Sequence, residues 1–140
     1  MIVDMRLRPP TKSWIEKPQY KKGVPFYPSR VGFPRPPSAE QRSMSLMFEE
    51  MDKAGITWGV AMGRHSAEPL GVIPNDEIHE VVEAHPDRFV SFVGIDVRTS
   101  ADEMLAEMDR CLAWRGFVGV SIEPGASNPP LKASGSRHCV

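Results

Sequence analysis

Five charged side chains stand at the ends of apolar runs in this sequence, and each can bind or transform a small anion. Arg6 and Arg8 are two positions apart in IVDMRLRPP, so in a strand they point to the same side. Their guanidinium groups, and that of Arg64 after the run ITWGVAM, can hold a carboxylate or phosphate through paired hydrogen bonds. Asp96 and Glu123 end two later runs and are the candidates for a side-chain general base.

These charges admit two interpretations. In the first, Arg6, Arg8 and Arg64 bind an anionic substrate, and Glu123 or Asp96 acts on it. In the second, the arginines pair with the two acids in a network that only stabilises the fold, because structural ion pairs can imitate a functional site. For this chain in isolation the network is favoured, whereas in a longer relative anion binding or catalysis is favoured.

The elements that must position these residues follow from the hydrophobic pattern. Four apolar runs have the length and composition of buried strands, and apolar residues recur at helical spacing between them. Ser100 and Glu103 form a capping-box pattern at the start of the last helix. The predicted strands are 2–7, 56–62, 89–95 and 117–122, and the predicted helices are 38–54, 75–85 and 100–112. This alternation predicts an α/β fold with a parallel sheet and helices packed outside it.

Charge and proline are unevenly distributed. Residues 1–42 carry a net charge of +6 and residues 43–140 carry −7, which leaves −1 overall. Eight of the fourteen prolines lie between positions 9 and 37, so we predict a long, basic, proline-rich loop over 8–37. The aromatic residues of this region, Trp14 and Tyr20 among them, favour an ordered loop over a disordered tail that binds nucleic acid.

Composition also bears on location and partners. No stretch approaches 18 consecutive apolar residues, and charges interrupt the apolar run at the N-terminus, so neither a membrane span nor a signal peptide is expected. We therefore expect a cytoplasmic protein with no membrane or nucleic-acid partner. Cys111 and Cys139 are too few for a disulfide framework, and Cys111 falls on a buried helical stripe as a predicted core residue.

Four segments resemble the amidohydrolase-related family of metal-dependent TIM-barrel hydrolases, in the branch that includes aminocarboxymuconate-semialdehyde decarboxylase-like enzymes. These segments are IVDMRLRPP, MDKAGITWGVAMGR, PNDEIHEVVEAHPDRFVSFVGID and GFVGVSIEPG. The resemblance implies a (β/α)8 barrel about twice this length, with its active site at the carboxyl ends of the strands. Residues 1–131 would then be an incomplete barrel of four strands and three helices. Residues 132–140 depart from the family, and a truncation or frameshift is the expected cause.

The resemblance also implies where a metal would bind. The family carries H-x-H on its first strand, and zinc or another divalent ion is its usual cofactor. Here Arg6 and Arg8 stand at those positions, and a guanidinium has no lone pair to offer a metal. The later ligands of the family come from strands that this chain lacks. No metal ligand and no cofactor are therefore expected.

The implied activity is hydrolysis, or decarboxylation on the same fold, of a small carboxylated or amide substrate. Arg6, Arg8 and Arg64 would hold the anionic substrate, and Glu123 or Asp96 would act as the base. As half a barrel the chain is expected to be inactive. The alternatives are a non-catalytic fragment and a small anion-binding α/β module. Two copies could also pair through the open edges of the first and fourth strands into a homodimer.

Overall fold

The computed structural model describes residues 1–18, 20, 21, 32, 34–68 and 70–123. The anomalous tail predicted at 132–140 and most of the proline-rich loop after position 21 lie outside these residues. None of the described helices is both long and apolar enough to span a membrane. The elements are, in chain order, β1 (Ile2–Leu7), α1 (Lys12–Ile15), α2 (Pro37–Gln41), α3 (Met44–Lys53), β2 (Ile56–Met62), β3 (Arg64–His65), β4 (Val72–Ile73), α4 (Asn75–Ala84), β5 (Phe89–Gly94), α5 (Ala101–Leu112) and β6 (Phe117–Ser121).

The main sheet has four parallel strands in the order β1-β2-β5-β6. This confirms the predicted α/β fold, and all four predicted strands lie within a residue of their expected positions. Helix α3 packs on β2, α4 on β2 and β5, and α5 on β5 and β6. The carboxyl ends of the four strands therefore share one edge of the sheet, as in any parallel arrangement.

The long helix predicted over 38–54 is wrong, because the chain forms two helices there. Helix α2 ends at Arg42, which adopts the left-handed conformation with a φ of 55°. Ser43 then begins α3, and its side chain accepts a hydrogen bond of 3.3 Å from the Leu46 N–H. A serine cap satisfies an N–H that has no partner inside the helix, so Ser43 starts a new helix rather than continuing the old one.

The last helix begins as predicted. Ser100 Oγ accepts from the Glu103 N–H at 3.3 Å, and Glu103 Oε2 accepts from the Ser100 N–H at 2.9 Å. Both halves of the capping box are therefore formed. Cys111 of this helix is fully buried in the core, which also confirms its prediction.

Two small elements were not expected from the sequence. Helix α1 lies within the proline-rich region, where it buries Trp14 among the core side chains. Strands β3 and β4 form an antiparallel hairpin in the loop between β2 and α4, with Arg64 opposite Ile73. Both elements pack beside the carboxyl ends of the main strands, so they help to shape the edge where the charged residues gather.

Glycines allow β2 and β5 to approach closely at this edge. A Cβ atom on Gly94 would collide with the backbone of Gly63, and a Cβ on Gly63 would collide with the side chain of Asn75. The buried Asn75 side chain donates to Gly94 O at 3.1 Å and accepts from the Gly94 N–H at 2.8 Å. The amide side chain thus holds the end of β5 against the start of α4.

Candidate functional site

Glu123 is held by donors from two different parts of the sheet edge. Arg6 Nη2 donates to Glu123 Oε1 at 2.5 Å, and Ser66 Oγ donates to Glu123 Oε2 at 2.8 Å. The Glu123 side chain is only 14% exposed, whereas that of Arg6 is 56% exposed. Glu123 is therefore a largely covered carboxylate, and the guanidinium of Arg6 reaches it from the solvent side.

Arg8 lies beside this pair without an ion-pair partner of its own among the described residues. Its guanidinium carbon is 5.8 Å from the centre of the Trp14 ring, and its buried Nε makes no hydrogen bond within the described part of the chain. Burial, and next the positive charge of Arg6, lower the pKa of Arg8, while Glu123 and Asp4 act in the opposite direction. Within these residues, the Nε–H of Arg8 is thus a donor without an acceptor.

Arg64 lies in the same neighbourhood, but its donors are engaged with the main chain. Its guanidinium donates to Leu70 O and, at 3.4 Å, to Gly71 O. It also stacks 4.6 Å from the centre of the Trp14 ring and is 3% exposed. Burial is the main cause that lowers the pKa of Arg64, and the charge of Glu123 is the main cause that opposes this. Arg64 therefore holds the β3–β4 hairpin in place beside the site.

Asp96 does not share the partners of Glu123. Arg98 Nε and Nη2 each donate to the Asp96 carboxylate at 2.6 Å, and His65 Nδ1 lies 3.8 Å from Asp96 Oδ2. The hydrogen bonds from Arg98 are the main cause that lowers the pKa of Asp96 to about 2. The structure thus brings Arg6 to Glu123, as one sequence interpretation expected, and brings Asp96 to Arg98 and His65 instead.

A cleft of about 330 Å³ opens beside β1, between that strand and helices α2 and α3. Its polar lining is Asp4, Arg6, Arg8, Tyr20, Ser38 and Glu50. The Tyr20 hydroxyl donates to Arg8 O. Burial raises the pKa of Tyr20 above its ordinary value, so this hydroxyl stays protonated and can keep donating. The Tyr20 hydrogen bond fixes the backbone of Arg8 at the end of β1.

The residues at the metal-binding positions implied by the family do not fit a metal. Arg6 and Arg8 are permanently protonated donors, so neither can replace an imidazole nitrogen in a coordination shell. Within the described ranges, no three His, Cys, Asp or Glu side chains are grouped so that they could hold a metal ion.

Two residues of the site were not singled out from the sequence. Ser66 donates to Glu123, and Trp14 contacts both Arg8 and Arg64. Ser66 carried a usable signal, because it follows a predicted strand by a few residues, as Arg64 does. Trp14 was recognised only as an aromatic residue of the proline-rich region, since its place depends on contacts that are distant in the sequence.

One solved structure is clearly similar to this chain. It is described as an uncharacterised TIM-barrel protein, Bb4693, from Bordetella bronchiseptica, and it is 35% identical with a TM-score of 0.78. The match covers 97% of this chain and 48% of that one, so the chain spans about half the length of its relative. No family model matches the chain, and no curated protein matches it either. The fold is therefore an α/β fold that corresponds to half of a TIM-barrel protein.

Proposed function

We propose that this chain forms the N-terminal half of an amidohydrolase-like TIM-barrel hydrolase, and that its part of the active site binds the carboxylate of a small substrate. The observation that carries the proposal is the guanidinium of Arg8, which follows β1, lines the cleft, and has no acceptor for its Nε–H among the described residues. In TIM-barrel enzymes this end of the strands is the catalytic face.

The charges around Arg8 favour an anion. Arg6 already has Glu123 as its partner, and Arg64 is engaged with backbone carbonyl groups. Arg8 therefore keeps its positive charge without a carboxylate bound to it among the described residues. A guanidinium in a partly buried setting binds a carboxylate more strongly than it would in water, because the surroundings screen the charge less.

Glu123 is the better of the two candidate bases. Asp96 is clamped by Arg98, and a carboxylate with a pKa of about 2 is a poor proton acceptor near neutral pH. Glu123 accepts one hydrogen bond each from Arg6 and Ser66 rather than a bidentate pair, and it lies at the same edge as Arg8. In the complete barrel, Glu123 would take a proton from the water that attacks the amide carbon and return it to the nitrogen as the C–N bond breaks, so that an amine leaves, while Arg8 holds the substrate carboxylate. For this half-barrel alone we propose binding without turnover.

The proposal is tested with N-acetylglycine, which carries a carboxylate and an amide, and with its uncharged methyl ester. Saturation-transfer NMR on the folded 140-residue chain should show binding of the acid and not of the ester. Arg8→Gln should weaken binding of the acid about tenfold, the usual cost of losing a charge-assisted hydrogen bond. Arg115→Gln is the matched control, because Arg115 is exposed at the opposite edge of the sheet, before β6.

Equal signals from the acid and the ester would show that charge does not drive binding. Binding that survives Arg8→Gln unchanged would place the anion elsewhere. Circular dichroism of each variant separates loss of binding from loss of folding.

A further inference from the structure

Exposed apolar side chains gather on the two edge strands of the sheet. On β1, Ile2 is 53% and Met5 is 56% exposed, and on β6, Val118 is 63% exposed. On the central strands, Val60 and Val93 are 2% and 0% exposed. The apolar surface left open to solvent on the sheet therefore coincides with the strands that have one neighbour each among the described residues.

The β6 edge, Phe117–Ser121, has neither a charged residue nor a proline, whereas β1 carries Asp4 and Arg6. An edge strand presents unpaired N–H and C=O groups, and proteins that remain monomeric usually protect such edges with charge, proline or a covering element. The cleft beside β1 continues this surface, because Leu7, Met47 and Met51 form its apolar lining. An apolar edge next to an apolar cleft can bind a strand together with the helix that packs on that strand.

We propose that a second copy of this chain covers both edges, so that two half-barrels close an eight-stranded parallel barrel. The chain contributes four parallel strands and matches 48% of a TIM-barrel protein, so two copies supply the strands of one barrel. A two-fold axis along the strands sets β1 of each copy beside β6 of the other. Each edge is then used once, and the assembly closes at two copies.

Charge does not oppose this pairing, because β1 carries one acid, Asp4, and one base, Arg6, and β6 carries no charged residue. In the closed barrel, the carboxyl ends of both sets of strands face the same opening.

The first test is the mass of the intact chain by light scattering after size exclusion, over a range of concentrations. We expect twice the 15.6 kDa of one chain. Val118→Lys should shift the mass to that of the monomer, because a lysine blocks an edge strand. Ala84→Lys is the matched control, because Ala84 is exposed on α4, which packs on the central strands β2 and β5, and it should leave the dimer intact. A monomer in the unmodified chain, or a dimer that resists Val118→Lys, would overturn the proposal.

The second test identifies which edges meet, and it does not depend on the folding of Val118→Lys. In a Cys139→Ser background, Val3→Cys combined with Val118→Cys should give a covalent dimer with a short bismaleimide. Val3→Cys alone should not, because the two β1 strands lie on opposite sides of the barrel. Efficient cross-linking of the single variant would mean that β1 pairs with β1. A ladder of larger products from the double variant would mean open-ended assembly, and either result contradicts the closed barrel.

Discussion

Arg6 and Glu123 stand 117 positions apart, and Arg6 Nη2 donates a hydrogen bond of 2.5 Å to Glu123 Oε1. Arg6 belongs to β1 and Glu123 follows β6, so the contact joins the two edge strands of the main sheet. Three strand spacings of about 4.8 Å separate these edges along the sheet. The two side chains therefore reach toward each other across β2 and β5. Ser66, which follows β3, also donates a hydrogen bond to Glu123.

Loss of the Glu123 carboxylate should destabilise the chain. Glu123→Ala leaves the Ser66 hydroxyl without its acceptor and leaves the arginines at this edge without their nearest negative charge. We expect the free energy of unfolding to fall by about 1–2 kcal/mol, less than for a fully buried pair because Arg6 is half exposed. Urea unfolding measures the change. Glu49→Ala removes an exposed carboxylate 3.9 Å from Lys53 and should change the value by less than about 0.5 kcal/mol.

Replacement of Asn75 should lower the free energy of unfolding more than Glu123→Ala does. Asn75→Leu leaves the N–H and C=O of Gly94 buried without partners and removes a hydrogen bond of 2.7 Å to Glu107. We expect a loss of about 2–3 kcal/mol in the free energy of unfolding. Glu80→Gln, at an exposed position of the same helix, serves as the control. A leucine variant as stable as the control would show that the amide does not hold β5 to α4.

Glu107 should make stability depend on pH in the acid range. Hydrogen bonds from Arg110 are the main cause that lowers the pKa of Glu107 to about 2, and a glutamate in the unfolded chain titrates near 4.3. Because the folded pKa is the lower of the two, the stabilisation is complete above about pH 5 and is lost as the pH falls toward 2.

Glu107→Gln tests this dependence. The variant should be less stable than the unmodified chain at pH 7, and urea unfolding at intervals down to pH 2 should show the difference shrinking. Asp109→Asn, at an exposed position of the same helix, should differ little in stability from the unmodified chain at pH 7 and at pH 2. A difference for Glu107→Gln that stays constant with pH would contradict the ion pair with Arg110.

Cys111 should be unreactive in the folded chain. Burial is the main cause that raises the pKa of its thiol to about 12, and the thiolate is the nucleophilic form. Iodoacetamide at pH 8 should leave Cys111 unmodified in buffer and modify it in urea, as read by peptide mass spectrometry. Labelling in buffer at the rate seen in urea would mean that α5 is not packed on the sheet.

The strands and the last helix could be predicted because their signals are local. Apolar runs mark the strands, and Ser100 with Glu103 marks the start of α5. The break between α2 and α3 has local signals too, at Arg42 and Ser43, but the apolar spacing that continues through 44–51 conceals it.

The partners of the charged residues could be predicted only in part. The sequence places Arg6 and Glu123 at strand ends, and a parallel sheet brings such ends together. Asp96 instead binds Arg98, two positions away, because a short loop can form a bidentate pair with little loss of entropy. The contacts of Arg64 depend on the β3–β4 hairpin, whose two-residue strands are too short to leave a periodic pattern.

The most direct test of the proposed anion site is the NMR signal of the Arg8 Nε–Hε group during titration with N-acetylglycine. The group has no hydrogen-bond partner among the described residues, so a bound carboxylate should move its resonance and slow its exchange with water. We predict a saturable shift at Arg8 and none at Arg115. Shifts confined to exposed arginines such as Arg98 and Arg115, with Arg8 unchanged, would contradict the account.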